Sequence, residues 1–281
     1  MAVVVLVVNE SRPQAVDLAR QTAAWLGKRG HEVRLPKRDA EAAGLFEHAL
    51  EGDALVTGVD VTLALGGDGT TLRAVDLVGR TGTPVLGVNL GRLGYLSDVE
   101  APEVPSALER VLAGAFEVEE RTMLALSTGA GGDTHLALNE AVLEKSSPGH
   151  TVHLAVHIGG RPFISYVADG LIIATPTGST AYAFSAGGPI VSPRQEALLL
   201  TPVAPHTPFA RTLVLHRDEP VRVEVLDHRG AMLSVDGREL GRLGRGEAVE
   251  VSVAAVPARF VRLEQRDFYG VLKTKFGLAD R

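Results

Sequence analysis

Four segments of strand length recur in the N-terminal part of the chain, the apolar run Ala2–Val8 (AVVVLVV), His31–Leu35, Val61–Leu65 (VTLAL) and Pro84–Val88, and they alternate with segments of helical pattern at Pro13–Lys28, Ala40–Leu50, Thr71–Gly79 and Pro102–Leu112. A β-branched run such as AVVVLVV, with no polar alternation, suits a strand buried on both faces. Strands joined by helices pair in parallel, because the crossover returns the chain to the same end of the sheet. Such a sheet offers ligands the carboxyl ends of its strands. Ser11 is the expected N-cap of the first helix and Gly30 its stop.

After Gly114 the pattern changes. Segments near 121–128, 134–144, 151–158, 161–167, 211–216, 220–226, 231–235, 248–254 and 259–265 are short, β-rich and separated by Gly, Pro or Asp, which is an antiparallel signature. A boundary near residue 118 is expected, with an α/β domain over 1–118, a β-rich domain over 119–281, and the last ~20 residues a candidate to pack back on the first.

Composition narrows the function classes. With 281 residues and 45% hydrophobic side chains the chain has enough apolar surface for one large or two modest domains. Its longest clean apolar run is Ala2–Val8, far short of the ~20 residues a membrane-spanning helix needs. No basic stretch precedes that run and Asn9-Glu10 follows it, so no secretory signal is read and a cytoplasmic location is expected. The absence of cysteine excludes disulfides, thiolate nucleophiles and Cys-based metal centres. A net charge of −6, from 28 basic and 34 acidic side chains, argues against nucleic acid or an anionic membrane as partner. A phosphate-bearing ligand must then be held by local structure.

Gly66-Gly67-Asp68-Gly69-Thr70 closes the third strand and opens a helix. Glycines let backbone N–H groups approach an anion, and the helix directs its positive end to the same point. The loop is not a Walker A loop, lacking Gly-Lys-Ser/Thr, and it lacks the third glycine of the dinucleotide fingerprint. A carboxylate there is repulsive to a passively bound phosphate, yet it is what an acceptor hydroxyl needs as proton acceptor in phosphoryl transfer. The alternative is a βα turn with Asp68 as helix cap. Arg73, one turn on, either neutralises phosphate or lies on a solvated face.

Asn139-Glu140 interrupts an apolar stretch, so one of the two side chains should face the packed side. An amide beside a carboxylate suits a purine edge or a ribose diol; a short turn or an edge-strand pair facing solvent is the alternative. Asp169–Pro189 (DGLIIATPTGSTAYAFSAGGP) runs from an apolar strand into a turn of small hydroxyl residues, with Ser179 or Thr180 as cap of a short helix and Tyr182 as a surface for a flat ring. Ala183-Phe184-Ser185-Ala186-Gly187 is one glycine short of a serine-hydrolase elbow, and Ser185 lies past a helix cap instead of directly after a strand. His153 and His157 alternate with apolar residues as on a strand, ~13 Å apart and too far to share a zinc ion.

In this order, GGDGT at 66–70, GVNLGRLGYL at 87–96, Asn139-Glu140 and the segment 169–189 resemble the NAD kinase family over most of the chain. The resemblance implies a parallel, Rossmann-like α/β domain followed by a β-sandwich-like domain. It implies transfer of a phosphoryl group from ATP, or inorganic polyphosphate, to the adenosine 2′-hydroxyl of NAD, giving NADP. A divalent ion, Mg²⁺ in expectation, would accompany the donor, with no protein ligand for it identified, and the protein would be a homodimer or homotetramer. By position Asp68 would be the proton acceptor and Gly69 an NAD contact. Asn139 and Glu140 would hold the adenosine part, Asp169 the nicotinamide side, and Thr180, Ala181, Tyr182, Ala183, Phe184 and Ser185 the adenine pocket. Arg73 would lie near phosphates, with Tyr95, His150, Val167 and Arg238 as further binding positions. Tyr95 stands where phenylalanine is usual, and Arg238 where glutamine is usual; a guanidinium accepts no hydrogen bond but favours phosphate. The competing readings are a lipid or other small-alcohol kinase with the same glycine loop, and a nucleotide-sensing module without turnover.

Overall fold

A computed structural model describes residues 1–91, 94–129, 134–265 and 267–278. The chain forms two compact units, Met1–Glu120 together with Ala258–Arg281, and Arg121–Pro257. Among the described residues no helix is long and apolar enough to cross a membrane.

The first unit is built on an eight-stranded sheet. Its order is 49–50, 32–36, 3–8, 61–66, 85–89, 258–262 and 117–121, with 99–100 beside 85–89. The strands Val3–Val8, Val61–Gly66 and Val85–Asn89 are parallel and almost wholly buried, as their unbroken apolar runs require. Helices Pro13–Gly27, Asp68–Val78 and Val104–Leu112 bury one apolar stripe each. From Val3–Val8 the sheet grows towards Glu32–Pro36 on one side and towards Val61–Gly66 on the other. This reversal of order leaves a crevice at the carboxyl ends of the two central strands.

Several local expectations differ from the structure. The first helix starts at Pro13 with Arg12 as N-cap and no side-chain cap, while the Ser11 N–H donates to Asn9 Oδ1 at 3.2 Å. The expected helix over 40–50 covers Lys37–Ala43, after which the chain turns at Gly44 into a 3₁₀ turn and the two-residue strand Ala49–Leu50. The segment expected as antiparallel at 259–265 is the strand Ala258–Arg262, parallel to Val85–Asn89 with Phe260 beside Val85. A short apolar run carries no mark of its partner's direction. The buried Arg262 ties that strand to Glu119 and Asp98 by ion pairs.

The second unit is a sandwich of two six-stranded antiparallel sheets. One sheet runs 213–216, 197–203, 170–174, 140–144, 231–235, 238–243, and the other 161–168, 152–158, 221–225, 248–253, 124–128, 134–137. Tyr166, Leu126, Leu154, Val223, Ile173, Leu198 and Leu233 fill the interior from both faces. Each Leu, Ile and Val among them contributes roughly 1.5–3 kcal/mol by burial. The expected strand over 134–144 is two strands, Thr134–Ala137 and Glu140–Glu144, which belong to different sheets. The chain changes sheets at Leu138-Asn139.

Candidate active site

The glycine loop lies at the crevice of the first unit. Strand Val61–Gly66 ends, Gly67 caps the next helix, and Asp68 is that helix's first residue. Asp68 is therefore not the cap. Its carboxylate accepts two backbone hydrogen bonds, Tyr95 N–H to Oδ2 at 2.8 Å and Leu96 N–H to Oδ1 at 3.0 Å. The loop after Val85–Asn89 thus folds down onto Asp68. Gly94 permits this, because a Cβ there would stand 2.2 Å from Asp68 Oδ1. Two N–H groups use two of about four acceptor positions on a carboxylate, so Asp68 is oriented and still able to take a proton. Gly69 is exposed beside it. Arg92 and Leu93 of the same loop lie outside the described residues.

Arg73 is held at the carboxyl end of the neighbouring strand. Its Nη2 donates to Asp39 Oδ1 at 2.6 Å and its Nη1 to Val8 O at 3.1 Å, while Asp39 Oδ2 accepts Val8 N–H at 2.6 Å. Asp39 is fully buried and Arg73 half exposed. Nothing in the sequence around Asp39 marks it as the partner; the pairing joins residues from separate helices. The ring of Tyr95 faces the C-terminal helix Phe268–Phe276, with Phe268 at 6.4 Å between centroids and Lys275 Nζ 4.4 Å from its own ring centre. Burial, and then the charge of Asp68, push the Tyr95 phenol above its ordinary value.

In the second unit the structure brings Asn139-Glu140 together with the segment 175–185. Thr175 N–H donates to Asn139 O at 2.8 Å, Thr175 Oγ1 to Leu138 O at 2.5 Å, and Gly178 N–H to Thr175 Oγ1 at 3.1 Å. A Cβ on Gly178 would meet Asn139 O at 2.1 Å, so only glycine allows the two backbones this close. Glu140 points inward and Asn139 is half buried, as strand alternation required of one of them. Glu140 Oε2 is buried without a hydrogen-bond partner. Burial, followed by the nearby Asp236 charge, raises the Glu140 carboxyl to about 8 against the opposing N–H of Tyr182.

Neither Ser179 nor Thr180 caps a helix. Residues Gly178–Thr180 form a 3₁₀ turn and Ala181 precedes the four-residue helix Tyr182–Ser185. The Ser179 hydroxyl instead donates to Pro176 O and accepts Val191 N–H, at 2.6 and 2.9 Å, and Thr180 Oγ1 donates to Thr177 O at 3.3 Å. Ala183 is buried while Tyr182, Phe184 and Ser185 are exposed, which leaves two aromatic rings and a hydroxyl on one small surface. Ser185 ends a helix and has no strand before it, so the hydrolase elbow is absent there.

Asp169 pairs with Lys145 Nζ at 2.7 Å. The pair lines a cleft of about 460 Å³ with His150, His206 and Arg229. His150 Nδ1 lies 2.9 Å from Arg229 Nη1, and Val167 O accepts His206 N–H at 2.7 Å, so His150, Val167 and Asp169 gather at one place. Lys145, His206 and Arg229 were not singled out in the sequence, where they are isolated from the motif. Arg238 is exposed at the start of strand Arg238–Leu243, two residues after Asp236. His153 and His157 lie on strand Val152–Ile158, between its buried residues. Among the described residues no three His, Asp or Glu side chains gather as a metal site.

Comparison with known proteins adds to this geometry. Residues 4–116 match the model of the ATP-NAD kinase N-terminal domain and 138–263 that of the ATP-NAD kinase C-terminal domain. The NAD kinase of Heliobacterium modesticaldum is 41% identical over 280 residues, 98% of each chain. That of Symbiobacterium thermophilum is 42% identical over 274 residues, 96% of this chain and 97% of the other. Among solved structures, yeast NADH kinase in complex with NADH superposes with a TM-score of 0.90 at 26% identity, covering 100% of this chain and 89% of its own. An NAD kinase from Archaeoglobus fulgidus in complex with ATP superposes with a TM-score of 0.76 at 25% identity, covering 99% of both.

Proposed function

The chain belongs to the NAD kinase family of phosphotransferases, and from this premise we propose that it phosphorylates the adenosine 2′-hydroxyl of NAD with ATP, Asp68 acting as proton acceptor. The 2′-oxygen attacks the terminal phosphorus, the bond to the ADP oxygen breaks, and the hydroxyl proton passes to the Asp68 carboxylate. Such transfer asks a protein mainly for positioning and charge stabilisation. The glycine loop and the helix it opens suit the donor phosphates, and Gly69 is exposed where NAD would lie against it. The Arg73 guanidinium, aimed by Asp39, adds positive charge at the same strand ends.

Asn139, Glu140 and the run Thr180, Ala181, Tyr182, Ala183, Phe184, Ser185 take the adenosine part in this reading, with exposed rings to stack on a base and hydroxyls to bind its edge. Asp169, His150 and Val167 take the nicotinamide side, in a cleft whose Lys145 and Arg229 favour phosphate oxygens. Tyr95 supports Asp68, and Arg238 offers charge at the rim. A divalent ion accompanying the donor would supply charge neutralisation at its phosphates, and no side chain of this protein is assigned to hold it. We also place the protein in the cytoplasm as a homodimer or homotetramer, which light scattering tests for the assembly.

The observation that carries this reading is the Asp68 carboxylate, held by two backbone N–H groups at the sheet's reversal point. Asp68→Asn should lose roughly 100-fold or more in turnover while NAD binds within a few-fold of wild type, as expected of a positioned general base. Turnover left intact would overturn the assignment. Phosphorylation of diacylglycerol in preference to NAD would place the chain's acceptor among lipids instead.

A further inference from the structure

Asp236 belongs to the tight turn between strands Ala231–Val235 and Arg238–Leu243, with φ +47 followed by Gly237 at +77. Asp-Gly is the pair that such a two-residue hairpin turn prefers, because Asp tolerates the left-handed region. The turn directs the Asp236 side chain onto the backbone of residues 138–140. Asp236 Oδ2 accepts Leu138 N–H at 2.8 Å, and Oδ1 accepts Asn139 N–H at 2.8 Å and Glu140 N–H at 3.0 Å. The Asp236 N–H returns a bond to Glu140 O at 3.0 Å. Three successive N–H groups on one carboxylate form an anion-binding concavity filled by the protein's own side chain. From the other side Thr175 takes the carbonyls of Leu138 and Asn139.

We propose that Asp236 is a positioning residue for this reaction, holding Leu138–Glu140 by its carboxylate and facing Glu140 with its negative charge. The proposal rests on the reading of Asn139 and Glu140 as ligand-binding residues. Thr175 holds the carbonyls of Leu138 and Asn139, while the N–H groups of residues 138–140 are taken by the Asp236 carboxylate, so without it the chain loses at this crossing between sheets three of the bonds that orient Asn139 and Glu140.

The charge has its own consequence. Facing Glu140 are Asp236 from the hairpin turn and Tyr182 from the short helix, whose phenol also feels Glu144 and Asp169. The strands packed beside it, Gly170–Ala174, Ala231–Val235 and Leu124–Thr128, carry no titratable side chain. Removing the Asp236 charge therefore lets Glu140 ionise at lower pH, where burial alone opposes it.

The test is NAD affinity by calorimetry across pH 5–10 for the full chain and for Asp236→Asn, Asp236→Gly, Glu140→Gln and Asn139→Ala, with melting followed alongside. Asp236→Asn should weaken NAD binding roughly 10- to 100-fold. It should also move the pH midpoint of binding acidward, whereas Glu140→Gln should remove that midpoint. Asp236→Gly relaxes the turn but removes the acceptor, so it should bind as weakly as Asp236→Asn; recovery of wild-type affinity would overturn the proposal. An unmoved midpoint in Asp236→Asn would do the same, since lost packing alone changes melting and not titration. Weak binding by Asn139→Ala with full affinity in Asp236→Asn overturns this inference alone. Full affinity in all of these variants overturns the underlying reading of the pair as well.

Discussion

Glu140 shows how one carboxyl responds to where the fold puts it. Burial and the Asp236 charge carry it from an ordinary 4.5 to about 8. In the unfolded chain it releases its proton near the lower value, and in the folded chain near the higher one. Between those two pH values the folded state holds more protons, so the stability associated with this group is complete below 4.5 and is lost as pH rises through about 8. Glu140→Gln removes the ionisation and nearly keeps the shape. It should melt close to wild type at pH 5 and be the more stable protein at pH 9, by on the order of a few kcal/mol. Paired thermal melts at the two pH values check this, and a gap that does not change with pH would refute it. The orphaned Oε2 of the same side chain is what a ligand hydroxyl or ring nitrogen would satisfy.

At the scale of elements, the C-terminal helix Phe268–Phe276 buries no residue of its own. Its contribution is contact with Tyr95 through Phe268 and Lys275, and Tyr95 carries one of the two N–H groups that orient Asp68. An aromatic pair adds ~0.5–1.5 kcal/mol beyond area and an exposed cation–π contact ~0.5–1. If all of that orients Asp68, the double variant Phe268→Ala/Lys275→Met should turn over about 5- to 70-fold more slowly. Its Michaelis constant for NAD and its melting temperature should change little, since the helix lies outside the core. Steady-state kinetics decide between this and a helix that only covers surface, for which turnover would stay at the wild-type value.

For the whole molecule, chain order and unit order differ. The sandwich is one continuous stretch, Arg121–Pro257, while the first unit needs the chain's end, because strand Ala258–Arg262 lies between Val85–Asn89 and Glu117–Arg121 in its sheet. Phe260 and Val261 are fully buried there, and Arg262 holds Glu119 and Asp98. A fragment of residues 121–257 should therefore fold alone, with a cooperative melt and β-type circular dichroism. A chain ending at residue 257 should keep that transition and lose the α/β one, because its sheet is split and an unpaired strand edge is exposed. Two intact transitions in the shortened chain would refute the argument.

The alternation of apolar runs with helical patterns was sufficient to foresee the parallel strands and the glycine loop at a strand end, and the short turn-bounded runs after residue 120 their antiparallel pairing, because each depends on neighbours a few residues away in sequence. Only the folded chain placed Asp39 against Arg73, Asp236 beneath Leu138–Glu140, Lys145, His206 and Arg229 beside Asp169, and the last strand inside the first sheet. Those are pairings between residues distant in sequence. A lone Asp in a turn or a short apolar run is compatible with many partners, and which one it meets is set by the packing of both sheets together.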